Sequence, residues 1–349
     1  MGEAGKEAGG GKGAQAVRRA VWREAVASYL YVGQWMTVSI SVIIFNKWLL
    51  AYAGFHYPIT LTMWHMFFCS TIAFFVIRVF GLVKSFDMSA REYLQRVMPI
   101  GALYALSLWL SNSAYLYLSV SFIQMTKSLM PGLVYTVGVI LQTESFGWGQ
   151  ALNMLLIAFG VVVCAFGEVN LVPIGVVEQL LAMSFEATRL TLIQLLINSR
   201  GYKMNPIQSL YYISPACFAC LSVPFVALEM KPVLNLINTG GLKFRPEYLL
   251  ANACTAFFLN LAVFLLIGKT SALTMNIAGV IKDWLLIWFS FSVFKAPVTA
   301  LNLAGYIFCC SGVAVYNYQK LQKIKADQKK KLAGGDVEGG AAKKGEAGK

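Results

Sequence analysis

Four basic residues stand where the sequence offers them no water: Lys47, Lys127, Arg189 and Lys282 each lie inside a long apolar run. A Lys or Arg at membrane depth costs at least roughly 2.5–3.5 kcal/mol on insertion scales, so each needs a partner or a water-filled cavity. The chemistry such cations offer is anion binding, above all to phosphate oxygens, through charge-assisted hydrogen bonds. The competing reading is that they snorkel or sit in structural ion pairs. Lys127 and Lys282 fall deep within their runs, which favours substrate contact. Lys47 lies close to the end of its run and could reach the interface, so both readings stand for it. Arg189 comes three positions after Glu186, a spacing that puts the two on one helix face, where they can form an ion pair. Pairing and substrate contact are both open there. Asp283 directly follows Lys282, and successive residues on a helix point roughly 100° apart, so the two are not expected to aim at one atom. Asp283 could accept from Arg189 or Lys127, contact sugar hydroxyls, bind a coupling proton, or serve as a charge-neutralising structural partner.

Small polar residues beside these cations fit a wet cavity: Ser111, Asn112, Ser121, Gln124, Thr126, Ser128, Thr274 and Asn276. Interhelical packing is the alternative for each. Gly132 and Gly279 are read as close-approach positions rather than ligand contacts. The chain has two histidines, His56 and His65, and seven cysteines that fall almost entirely in apolar segments. That set predicts neither a metal site nor a disulfide framework, and the Cys217/Cys220 spacing is read as small packing residues. No cofactor is expected.

These residues must be positioned by membrane-spanning elements. Of 349 residues, 58% are hydrophobic and 13% charged, and the mean hydropathy is +0.62. Soluble domains carry about 25% charge, so lipid is the expected solvent for most of this chain. Apolar runs predict ten transmembrane helices near 29–50, 58–80, 98–118, 119–141, 149–167, 174–197, 206–228, 248–267, 272–294 and 299–318. Open strands cannot satisfy their backbone in lipid and no barrel-like alternation is present, so the fold class is all-α. The net charge of +13 lies in the connections and tails rather than on an aromatic-lined face, which argues against nucleic acid. Basic residues outside the spans concentrate on the side of the termini, which predicts both termini in the cytosol. Residues 1–28 read as a cytosolic tail that resembles neither a signal nor a transit peptide, and 321–349 as a disordered basic tail.

Within 29–320, two five-helix repeats are expected, about 29–167 and 174–320. Ala151-Leu152-Asn153 recurs as Ala300-Leu301-Asn302, and the four intramembrane cations fall at corresponding positions, in helices 1 and 6 and helices 4 and 9. An odd number of helices per repeat inverts one against the other, the architecture of many secondary transporters.

The run from Ser119 through Lys127 to Pro131, the run from Asn260 through Gly268 to Lys282-Asp283, and Phe185-Glu-Ala-Thr-Arg-Leu190 resemble the nucleotide-sugar and triose-phosphate translocator family of the drug/metabolite transporter superfamily. Lys282-Asp283 is similar to the signature of its plant and algal KD group. The resemblance implies a ten-helix antiporter with a central anion site in which Lys127, Lys282, Lys47 and Arg189 hold phosphate, with Ser111 at a matching polar position. Asp283 stands where the plastid phosphate translocators have arginine, and Leu259 where they have tyrosine. The exchange of a cation for a carboxylate disfavours a compact dianion. The resulting expectation is a Golgi antiporter of a nucleotide sugar against a nucleoside monophosphate by alternating access, with substrate contacts from Lys127, Lys282, Asp283, Lys47, Arg189, Ser111 and Asn276. A sugar-phosphate/phosphate translocator, with the plastid envelope as the alternative membrane, comes second, and a proton-coupled metabolite exporter third. Clustered carboxylates or histidines, as a membrane enzyme would need, are not visible in the sequence.

Overall fold

The computed structural model describes residues 29–86, 88–193, 204–241, 245–267 and 272–319, with Val26, Leu195 and Gln322. The side chains of 206 and 263–277 lie outside the described residues, as do the two tails apart from Val26 and Gln322. Every regular element among the described residues is helical. In chain order they are α1 (Tyr29–Tyr52), α2 (Pro58–Val79), α3 (Met98–Tyr117), α4 (Val120–Thr126), α5 (Met130–Ile140), α6 (Trp148–Gly167), α7 (Pro173–Leu192), α8 (Ile207–Asn238), α9 (Glu247–Ile267), α10 (Ala272–Ser292) and α11 (Ala300–Gln319). Of these, α1, α2, α6, α8 and α11 are long and apolar enough to cross a bilayer. The chain is thus an all-helical, polytopic membrane protein.

Proline punctuates these helices. It stands in the first turn of α2, α3, α5 and α7, where its missing N–H removes nothing and its fixed φ suits the helix. The single helix expected over 119–141 is in fact broken. Pro131 has no N–H to give the Lys127 carbonyl, so the Met130 N–H bonds to it instead, and the chain tightens into a 3₁₀ turn at Lys127–Leu129.

The chain forms two compact units. The larger comprises Met1–Gln124 and Val169–Pro297. In it α3 packs on α7, α2 on α8 and α9, and α3 on α8. Gly175 of α7 has no room for a Cβ against Tyr117 and Leu118, while Arg189 lies over Tyr104, so α7 runs antiparallel to α3. The smaller unit comprises Met125–Glu168 and Val298–Lys349. There α6 and α11 come into backbone contact: a Cβ on Gly305 would meet the Gly160 carbonyl and the Cys164 N–H at 2.6 Å. Asn153 donates to the Gly312 carbonyl (2.8 Å) and Asn302 donates to the Cys164 carbonyl (2.7 Å). The two asparagines of the repeated Ala-Leu-Asn triplet thus make reciprocal bonds across one antiparallel helix pair. Gly132 is likewise tight, against Met154, so the close-approach reading holds for it, whereas Gly279 has nothing within 4 Å among the described residues.

A buried polar chain ties four helices of the larger unit together. His65 Nε2 is bonded to the Asn252 Oδ1, and Asn252 donates to Asn46 Oδ1 (2.9 Å). Asn46 donates to Asn112 Oδ1 (3.2 Å), Asn112 to Thr62 Oγ1 (3.0 Å), and Thr62 to the Pro58 carbonyl (2.7 Å). The backbone acceptor at the end fixes the direction of every link, which makes His65 Nε2 the protonated nitrogen. Asn112 therefore serves to join α1, α2, α3 and α9 instead of lining a wet cavity. Glu229 of α8 adds a second clamp: its carboxylate accepts from the N–H groups of Ile59 (3.0 Å) and Thr60 (2.7 Å) and from the Thr60 hydroxyl (2.6 Å). These are orphan donors at the start of α2, where the helix dipole also favours an anion.

Candidate functional site

Lys47 lies at the end of the α-helical part of α1, just before a π turn at Trp48–Tyr52. It is 7% exposed, so it does not snorkel. Its Nζ donates to the carbonyls of Tyr115 (2.6 Å) and Leu118 (2.9 Å) and lies 5.7 Å from the centre of the Tyr52 ring. Leu118 has already turned into extended backbone, which leaves the last carbonyls of α3 without helical donors. A cation is the favoured occupant of that negative helix end. Ser111, half-buried, lies farther back on the same helix.

Arg189 and Glu186 form an ion pair, one of the two readings left open for Arg189. The Arg189 Nε donates to Glu186 Oε2 (2.7 Å), and a second guanidinium nitrogen bonds to Oε1. The guanidinium plane also covers Tyr104 of α3, with Cζ 4.5 Å from the ring centre. A bidentate fork stacked on an aromatic ring is well positioned, since both contacts use the rigid plane that lysine lacks.

Lys282 and Asp283 are in direct contact. Their Nζ and Oδ1 atoms are 3.4 Å apart, with side chains 15% and 25% exposed. Helical geometry separates the two Cβ directions, but the four-methylene lysine stem is long enough to bring Nζ back to its neighbour. The ammonium also lies 5.5 Å from the centre of the Trp35 ring, so α10 and α1 share it. Asp283 is therefore a direct partner of Lys282.

Lys127, half-buried, belongs to the smaller unit, in the 3₁₀ turn that packs on α6. Asn276 and Thr274 are in α10 but their side chains lie outside the described residues. In the larger unit the structure thus joins Lys282 with Asp283, Arg189 with Glu186 and Tyr104, and Lys47 with the end of α3. Sequence reading missed the bonds of Lys47 because backbone carbonyls leave no mark in a sequence. It missed the Asn46, His65 and Asn252 links as well, although polar residues isolated in apolar helices were the signal available. No group of three His, Cys, Asp or Glu residues that could hold a metal occurs among the described residues.

The model of the Triose-phosphate Transporter family matches residues 26–317. A probable sugar phosphate/phosphate translocator of Arabidopsis thaliana is 53% identical over 336 residues, which cover 95% of this chain and 94% of the relative. A second protein of that description from the same plant is 42% identical over 306 residues, covering 87% of this chain and 82% of its own. A GDP-mannose transporter of Arabidopsis thaliana is 27% identical over 302 residues, 85% of this chain and 88% of the relative. With a family match across all the membrane helices and this level of identity over nearly its whole length, the chain belongs to the Triose-phosphate Transporter family.

Proposed function

We propose that the chain is an antiporter exchanging a phosphorylated sugar for inorganic phosphate by alternating access. The observation that carries this reading is the 53% identity, over 95% of the chain, to a relative described as a probable sugar phosphate/phosphate translocator. The order expected from the sequence, with a nucleotide sugar first, is reversed for a second reason. Asp283 lies beside Lys282, so its charge acts through that lysine and is a weaker argument against a compact phosphate. Nucleotide-sugar exchange is the second reading, favoured by the 27% identity to a GDP-mannose transporter.

In this proposal Lys127 and Lys282 grip the substrate phosphate, Arg189 and Lys47 add positive charge, and Ser111 and Asn276 contact hydroxyls. Lys282 would exchange Asp283 for phosphate, and Lys47 would exchange the α3 carbonyls. The two inverted repeats are supported by the reciprocal bonds of Asn153 and Asn302. The membrane is proposed to be internal, Golgi or plastid envelope, and imaging the tagged full chain beside markers of both separates them.

The test is uptake into proteoliposomes of the full chain preloaded with inorganic phosphate. Labelled triose phosphate or hexose phosphate is expected to enter loaded vesicles and not empty ones. Uptake of GDP-mannose against GMP, with no uptake of any sugar phosphate, would overturn the reading in favour of the second.

A further inference from the structure

We infer that the cytosol-proximal face between α2, α3 and α8 is a binding site for one anionic phospholipid, distinct from the residues proposed to hold substrate. A groove of about 300 Å³ is lined by Ser70 and Phe74 of α2, Tyr93 just before α3, and Tyr211, Tyr212 and Pro215 of α8. At its outer end stands Arg78, whose Nε donates to the Tyr211 hydroxyl (2.9 Å) while its guanidinium lies 5.7 Å from the centre of that ring. Arg78 is one residue from the end of α2, a helix long enough to cross a bilayer, so it sits at the level of the headgroups. Ser70 lies two helical turns earlier, about 12 Å farther toward the hydrocarbon at 1.5 Å per residue. The groove therefore runs from a guanidinium at headgroup level past Phe74 and Pro215 to a depth only an acyl chain reaches. A soluble phosphate would satisfy the first part and leave the second exposed.

The surroundings match an anionic amphiphile in charge and in rigidity. Lys84 and Arg91 are exposed and Arg96 half-buried on the connection between α2 and α3, and Glu92 is engaged in a capping box with Ser89. Phe80, Leu82 and Leu94 are 66%, 75% and 62% exposed beside these cations. Basic residues bordering an apolar groove at the cytoplasmic end of helices are the arrangement that retains anionic lipid headgroups. The walls are held in place: Tyr212 donates to the Phe86 carbonyl (2.7 Å) and accepts from its N–H (2.9 Å), Tyr93 donates to the Tyr212 carbonyl (2.9 Å), and Gln208 donates to the Lys84 carbonyl (2.7 Å). The connection is thus pinned to α8, which fixes the walls of the groove.

The experiment is native mass spectrometry of the detergent-solubilised full chain titrated with phosphatidylglycerol, with phosphatidylcholine of the same acyl chains, and with soluble glycerol phosphate. Preferential retention of a single phosphatidylglycerol is expected, not displaced by glycerol phosphate. Arg78→Gln should lower that preference about fivefold, as one basic residue near a membrane surface contributes, and Arg78→Lys should keep most of it. Equal retention of the two lipids by the unmodified protein would overturn the proposal, whatever the variants do. So would displacement by glycerol phosphate, which would reduce the site to a soluble-anion site, or an unchanged preference in Arg78→Gln.

Discussion

The four intramembrane cations differ in what they already hold. Lys47 occupies the carbonyl end of α3, Arg189 is forked onto Glu186 and stacked on Tyr104, and Lys282 is beside Asp283. A phosphate must compete with these contacts, so its net gain is smaller than a bare ammonium would provide. Replacing Lys127 or Lys282 by alanine is expected to weaken exchange by about 1.5–3 kcal/mol, roughly ten- to hundredfold in affinity, with folded protein still in the membrane. Near-normal uptake in both variants would remove them from the substrate path. Asp283→Asn removes the charge that Lys282 faces at 3.4 Å. With the site partly solvated, phosphate affinity should rise by about 1–2 kcal/mol. Loss of affinity in that variant would mean the carboxylate holds Lys282 in its working position or touches substrate itself.

At the scale of elements, two devices set the geometry: breaks placed by proline and polar links buried between helices. The 3₁₀ turn at Lys127 follows from Pro131, and it turns a side chain expected at mid-helix into one at a helix junction. The Asn252–Asn46–Asn112–Thr62 links hold α1 close to α3, with Lys47 one residue beyond Asn46. Asn112→Leu would leave the Asn46 amide without its acceptor and remove the donor to Thr62. A buried donor left unsatisfied costs about 1–3 kcal/mol, which should appear as a lower midpoint in detergent unfolding. Because the same change frees α1 from α3, Lys47 should also lose its contact with the Tyr115 and Leu118 carbonyls. A midpoint unchanged from the unmodified protein would show that the polar chain carries no stability.

For the whole molecule, the fraction of apolar residues and the placement of Lys and Arg fix a testable topology. Both termini are proposed to face the cytosol. In sealed vesicles of the internal membrane with the cytosolic face outside, epitope tags at the two ends should both be cleaved at once, while a tag in the 239–246 connection should resist protease until detergent is added. One protected and one cleaved terminus would require an odd number of spans and would remove the basis for two equal inverted repeats.

The sequence alone determined the helical class, the membrane as solvent, the placing of Glu186 and Arg189 on one helix face and the cations that need explaining, because these follow from composition and from spacings within one helix. Only the tertiary structure decided what those cations hold. The partners of Lys47 are backbone carbonyls about seventy residues away, numbered 115 and 118, and a carbonyl has no residue type to read. Glu229 reaches donors on Ile59 and Thr60, and the direction of the Asn chain depends on helices meeting from distant parts of the sequence. The Lys282–Asp283 contact was hidden for the opposite reason: it is local, but helix periodicity fixes where Cβ points and leaves the four methylenes beyond it free to turn back.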